Sequence, residues 1–217
     1  MTSEDLRTAL DGAVADPAWL TGALSQLAAD PAAIAALFPA VSRRCGRAAL
    51  PAGRPELAGW TVDDAARVLL LTAVPLPGPA LSGELAALYR YGDAAEKRAV
   101  LRALPRLDIG AGAVELLADA IRTNDPRLVA AAMGPYARHL DDTAWRQAVL
   151  KCVFMEIPLS AVAGLAARAD GELARMLAAL ADERHAAGRT IPADATALLT
   201  QLTSGLLTGP DHEKEAC

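Results

Sequence analysis

Helix-start signals recur along this chain at short intervals, and no other feature constrains its fold as strongly. Asp16-Pro17 and Asp30-Pro31 each set an acid directly before a proline. At a helix N-terminus the carboxylate accepts an orphan backbone N–H, and the N–H that proline lacks is one the helix does not use. Thr61 starts a further segment in the same way, and Asp93 with Glu96 three residues on reads as a capping box. The segments between such signals have room for helices of about three to four turns. Alanine, roughly a quarter of the residues, loses no side-chain entropy in a helix, whereas the aromatic and β-branched residues that favour strands are scarce. The expectation is an all-α, multi-helical chain of stacked antiparallel helix pairs, loosely of the HEAT or armadillo kind.

The signals place a first helix near Ser3 to Ala15, helices after Asp16-Pro17 and Asp30-Pro31, and a break of the third near Phe38 at Pro39. Further helices are expected from Thr61 to Val74, Ala80 to Tyr89, Asp93 to Leu104, Ile109 to Arg122, Pro126 to Met133, Thr143 to Glu156, Pro158 to Ala169, Gly171 to Ala187 and Ala193 to Leu207. Between Gly46 and Gly59, Pro51, Gly53 and Pro55 mark a connector. It divides an N-terminal helical cap, residues 1–55, from a helical body, residues 56–207, with a polar tail over 208–217. Three stretches starting at Asp64, Asp93 and Asp142 share an acid followed by an apolar seam, which favours repeated helix pairs.

The net charge of −5 gives no basic face for a phosphate backbone, so nucleic-acid binding is not expected. The longest apolar stretch, Val68 to Pro77, is interrupted by Thr72 and Pro75 and is far shorter than the roughly 20 residues of a membrane span. The first residues carry Glu4 and Asp5 and lack a basic-then-apolar leader pattern, which implies the cytoplasm and no membrane insertion. Cys45, Cys152 and Cys217 are odd in number and far apart, as expected for reduced thiols.

Standard catalytic motifs are missing: no glycine-rich dinucleotide or phosphate loop, no nucleophile elbow, no zinc-protease helix. His139, His185 and His212 are separated and have no cysteine at ligand spacing, so neither a metal site nor a cofactor is expected. In the helix from Gly171 to Ala187, Leu173, Met176, Leu177 and Leu180 form the core stripe, and the same period brings Arg184 onto or beside the apolar face. An inward guanidinium needs a carboxylate, carbonyls or a bound anion, and Glu172, Arg175 and Glu183 lie close by. Two readings stand: an internal salt-bridge network, or an Arg/Lys-lined pocket for a phosphate or carboxylate. The candidate ligand-binding residues are Asn124, Lys151, Arg175, Glu183, Arg184 and Arg189. Lys151 shares a helix face with Gln147, Arg189 follows a Gly188 C-cap, and Asn124 with Asp125 also suits a cap. Of Tyr89 and Tyr91, one is expected buried and the other exposed; His139 is a candidate general base.

From Tyr89 onward, over about three-fifths of the chain, the sequence resembles the EboA family of bacterial proteins. The resemblance lies in Tyr91-Gly-Asp93, Arg122-Thr-Asn124, the run Gln147 to Phe154 with Ile157-Pro158, Glu172-Leu-Ala-Arg175-Met, and Glu183-Arg184-His-Ala-Ala-Gly188-Arg189. It implies a cytoplasmic accessory protein encoded beside a UbiA-like prenyltransferase, a sugar-phosphate-cyclase-like protein and a TatD-like hydrolase, in clusters that make or export a small metabolite. The family supplies no established catalytic residues. The leading expectation is therefore an α-helical binding or scaffolding module whose partner is a protein of the same cluster or a small anionic metabolite. The alternative is an enzyme on a phosphorylated sugar or prenyl-type metabolite, with Arg175, Arg184 and Arg189 holding the anion.

Overall fold

The computed structural model describes residues 2–50 and 57–207, with the side chains of 205–207 excluded. Pro51, Gly53 and Pro55 of the expected connector, His212, Cys217 and the tail over 208–217 lie outside the described residues. Among the described residues the chain is all-α, with twelve α-helices and no strand. The described residues up to Ala132 form one compact unit and those from Met133 on form a second.

The first unit holds α1 (Ser3–Leu10), α2 (Pro17–Ala29), α3 (Ile34–Cys45), α4 (Val62–Ala73), α5 (Gly78–Tyr91), α6 (Ala94–Ala103), α7 (Val114–Arg122) and α8 (Pro126–Ala132). The second holds α9 (Asp142–Phe154), α10 (Leu165–Arg168), α11 (Gly171–Ala186) and α12 (Ala193–Leu207). The caps that local chemistry demanded are in place. Asp16 Oδ1 accepts the Trp19 N–H at 3.0 Å. Asp93 Oδ1 accepts the Glu96 N–H at 2.9 Å while Glu96 Oε2 accepts the Asp93 N–H at 3.1 Å.

Helix α4 is the axis of the first unit: every residue from Val62 to Leu71 is buried, and α1, α2, α3 and α6 pack against it. A helix apolar on one face rests on a core, whereas one buried all round lies inside it. The residues before it close the loop, with Leu50 N–H donating to the Trp60 carbonyl at 2.9 Å and Val62 N–H to Ala48 at 2.9 Å. Helix α8 packs on α6 and α7, and α5 on α6. In the second unit α11 packs on α9 and α12.

Several boundaries differ from expectation. The first helix ends at Leu10 rather than Ala15, and Asp30-Pro31 begins with a 3₁₀ turn, Pro31–Ala33, before α3. Pro39 does not break α3 but sits inside it. Ile34, Leu37, Phe38, Val41 and Cys45 are buried along that helix. At roughly 1.5–3 kcal/mol for each large apolar side chain, they outweigh the roughly 3 kcal/mol that an internal proline costs. Helix α5 starts at Gly78, because Pro79 in its first turn needs no N–H partner. Helix α7 starts only at Val114, since Gly112 and Val114 bond back to Ile109 and Ala111 as turns.

The expected helix from Pro158 to Ala169 is a 3₁₀ turn, Leu159–Ala161, followed by the four-residue α10. Ala163 N–H donates to the Met133 carbonyl at 2.9 Å, and Gly164 follows at φ 74°, a conformation glycine adopts without cost. The aspartates that headed the three similar stretches are not equivalent caps. Asp93 is an N-cap, Asp142 is the first residue of α9 behind its cap Asp141, and Asp64 is the third residue of α4.

Candidate functional site

The second unit places the residues singled out on α11. Leu173 and Leu177 are buried, and Arg184 is half-buried beside that stripe, where it lies against the exposed Phe154 rather than in the core. Its companion is a carbonyl: Nη2 donates to Phe154 O at 2.8 Å, and the guanidinium lies 5.0 Å from the Phe154 ring centroid. Phe154 is the last residue of α9, where carbonyls lack intrahelical donors and the helix dipole is negative. That group satisfies a guanidinium without a carboxylate.

Arg175 is engaged within its own helix. Its Nε and Nη2 donate to the two Glu172 oxygens at 2.9 and 2.7 Å, and this pairing holds the exposed Glu172 carboxyl below its ordinary range. Arg175 and Arg184 thus share no partner. Lys151, half-buried on α9, is also engaged. Glu183 and Arg189 are exposed, and Asn124 is exposed in the first unit, between α7 and α8. Cys152 is fully buried, and burial pushes its thiol up to about 11, the state of an inert core cysteine. His139 packs on the Tyr136 ring at 4.7 Å between centroids, and its Nε2 is buried without a hydrogen-bond partner.

Arg146 carries more than its sequence context indicated. It donates to both oxygens of Asp170 at 3.0 and 2.5 Å, and Asp170 in turn caps α11 by accepting the Leu173 N–H at 3.0 Å. The Arg146 bond, then the Leu173 N–H, hold the Asp170 carboxyl below its usual range.

The first unit contains a buried charge network that sequence reasoning missed. Arg67, 1% exposed, donates to Asp63 Oδ2 at 2.9 Å, Ser42 Oγ at 2.9 Å, Phe38 O at 3.2 Å and Glu96 Oε1 at 3.5 Å. Ser42 Oγ donates to the same Asp63 oxygen at 2.8 Å. One residue along, fully buried Asp64 accepts from Arg98 Nε at 2.9 Å and from Arg102 Nη1 at 2.6 Å. Burial opposes a charged Asp63, but bonds from Thr61, Ser42 and Arg67 outweigh it and hold the carboxyl below its usual value. Arg102 and Arg106 stack on the Trp60 ring at 4.7 and 5.1 Å. Nearly every charge here has a partner, so the network fastens α3, the start of α4 and α6 together and does not reach for a ligand. A signal for it existed. Asp63, Asp64 and Arg67 lie in the helix that carries the longest apolar run, where charges have no solvent face to use.

The concavities among the described residues of the first unit include a larger and a smaller one. The larger, about 410 Å³, lies between α1, α2 and α4, with apolar walls from Leu10, Val14, Leu20, Leu24 and Leu69. Glu4, Arg7, Thr8, Asp11 and Thr21 add polar and charged groups to the lining. The smaller, about 170 Å³, lies between α3, α5 and α6. Among the described residues there is no helix long and apolar enough to cross a membrane, and no group of three metal-ligating side chains.

No curated protein and no solved structure matches the chain. Residues 7–200 match a family described as metabolite traffic protein EboA. The match takes in α2 to α11, so the likeness extends well ahead of Tyr89, where the sequence motifs first made it visible. Covering nearly the whole chain, it shows that this protein belongs to the EboA family.

Proposed function

We propose that this protein is a helical binding module in the handling of a small metabolite, and that the cleft between α1, α2 and α4 receives it. The family's description as a metabolite traffic protein supplies the class of role. The observation that carries the assignment is the cleft itself. At about 410 Å³ it has the size of a small-molecule site, with apolar walls from Leu10, Val14, Leu20, Leu24 and Leu69 and with Glu4, Arg7, Thr8, Asp11 and Thr21 as polar groups to orient a ligand. Its mixed lining suits a metabolite with an apolar body and a polar end.

The alternative, an enzyme that grips an anion with Arg175, Arg184 and Arg189, has less support. Two of those three arginines are engaged by Glu172 and by the Phe154 carbonyl. A role as an accessory to proteins of the same metabolic cluster, in the cytoplasm, is part of the proposal and rests on the family resemblance.

The test is thermal denaturation with farnesol, farnesyl diphosphate and glucose 6-phosphate as probes. A ligand at about a hundred times its Kd adds about 2.7 kcal/mol, which raises the midpoint by roughly 5–10 °C in a chain of this size. The proposal expects farnesol to stabilise the wild type and not a Leu24→Gln variant, Leu24 being a half-buried wall residue, with the variant's own ligand-free melt as the check that it folds. Stabilisation by glucose 6-phosphate alone, abolished by Arg184→Ala, would instead restore the anion-pocket reading.

A further inference from the structure

We propose that the smaller pocket, between α3, α5 and α6, is a separate site for a small organic cation: a primary or quaternary ammonium group on a short apolar body. Two helix faces build its walls. Ala35, Phe38 and Pro39 lie on one face of α3 at spacings of three and four, and Glu84, Ala87, Leu88 and Tyr91 lie on one face of α5. Helix α6 contributes Glu96. The pocket is therefore apolar along its sides, with two carboxylates and an aromatic ring at its edges. That is the composition that desolvates and holds an ammonium ion.

Three observations single out this pocket. Tyr91 is 83% exposed, and neither its ring nor its hydroxyl has a partner among the described residues, while Tyr89, two residues earlier, is buried with its hydroxyl donating to Asp119 at 3.1 Å. Glu84 is half-buried in the wall and has no ion pair or hydrogen bond among the described residues. Glu96 is held in place by its neighbours: Oε2 accepts the Asp93 N–H at 3.1 Å and Oε1 lies 3.5 Å from Arg67 Nη2. Gly92 lets that carboxylate approach. A Cβ there would lie 2.7 Å from the Leu88 carbonyl oxygen, 2.9 Å from the Glu96 Cβ and 3.0 Å from Glu96 Oε2. The Tyr91-Gly92-Asp93 turn thus sets an aromatic ring at the mouth, admits Glu96 and caps α6.

Arg67, which Glu96 shares with Asp63, and the Asp93 N–H meet part of the Glu96 charge, and Glu84 adds a carboxylate with no ion pair among the described residues, so the pocket carries net negative charge. A cation is the ligand that complements it; an anion would face both carboxylates. The volume, about 170 Å³, equals roughly five or six waters, room for a choline-sized or butylammonium-sized head and not for a drug-sized molecule.

The experiment titrates choline, n-butylammonium and the neutral choline isostere 3,3-dimethylbutan-1-ol into the full chain. Binding is read by calorimetry and by the NMR shifts of the Tyr91 ring protons. Choline or n-butylammonium is expected to bind in the millimolar range. Affinity should weaken about tenfold in Glu84→Gln and about threefold in Tyr91→Ala. The neutral isostere should bind at least about tenfold more weakly than choline. No binding of either cation up to about 50 mM, equal binding of the isostere, or unmoved Tyr91 resonances in the wild type overturns the proposal. The wild-type NMR arm decides even if a variant loses its native melt. Leu24→Gln, in the larger cleft, should leave cation binding unchanged, so failure of either site is seen apart from the other.

Discussion

Replacing Arg67 by methionine tests the buried network where it is most exposed to failure. The guanidinium is 1% exposed and its five N–H groups meet four acceptors: Asp63, Ser42, the Phe38 carbonyl and Glu96. Methionine fills part of the volume but leaves the nearly solvent-free Asp63 carboxylate with only hydroxyl partners. Removing one member of a buried pair costs about 3–5 kcal/mol, a large part of a total stability of about 5–15 kcal/mol. The thermal midpoint should fall by roughly 6–20 °C. The double variant Asp63→Leu with Arg67→Met removes both charges, and most of the lost stability should return, a coupling of at least about 2 kcal/mol. Urea denaturation followed by far-UV circular dichroism measures both. A loss below about 1 kcal/mol for Arg67→Met, or additive losses in the double variant, refutes the reasoning that this pair is a desolvated, interdependent unit.

Other expected outcomes follow from the same structure. Arg175→Met removes an exposed pair on the surface of α11 and should leave the denaturation midpoint unchanged within error. Asp170→Ala, which strips the α11 cap, should cost about 1 kcal/mol or somewhat more, read by the same denaturation. Gly92→Ala forces a methyl against the Leu88 carbonyl and Glu96 and should destabilise by about 1–3 kcal/mol while weakening cation binding, measured by melt and calorimetry together. The thiols of Cys45 and Cys152 are raised from 9.0 to about 11 by burial, so the folded state resists ionisation that the unfolded chain undergoes. Their contribution is complete below pH 9 and is lost as pH rises through about 11, roughly 2.7 kcal/mol for each. Cys152→Ala should flatten that alkaline decline. At the acid end, Asp63 lies below its usual 3.8, so its contribution is present above that value and lost as pH falls through the folded value.

What the sequence made legible was local. Asp16-Pro17 and Asp93 with Glu96 announced their helices because a cap and the N–H groups it satisfies lie within three residues. The failures are those in which a distant group decides. Pro39 stays helical because the buried face around it outweighs its cost, and the Pro158 segment breaks because Ala163 bonds to Met133 thirty residues away. The helical period placed Arg184 beside the apolar stripe, but period alone does not say how far it is covered or whether a carboxylate or a carbonyl awaits it. Asp64 finds Arg98 and Arg102 34 and 38 residues later, and no spacing rule links residues on different helices. The motif Tyr91-Gly-Asp93 was visible as a family likeness, whereas the pocket it borders needed α3 beside it.

The central claim is that the cleft between α1, α2 and α4 holds a small, largely apolar molecule without converting it. Hydrogen exchange resolved by peptide, with and without farnesol, tests it most directly. Slowed exchange confined to Ser3–Leu10, Pro17–Ala29 and the Leu69 turn of α4, with the farnesol recovered unchanged by mass spectrometry, is the expected result. Protection confined to α9 and α11, no protection at saturating farnesol, or a chemically altered ligand would contradict it.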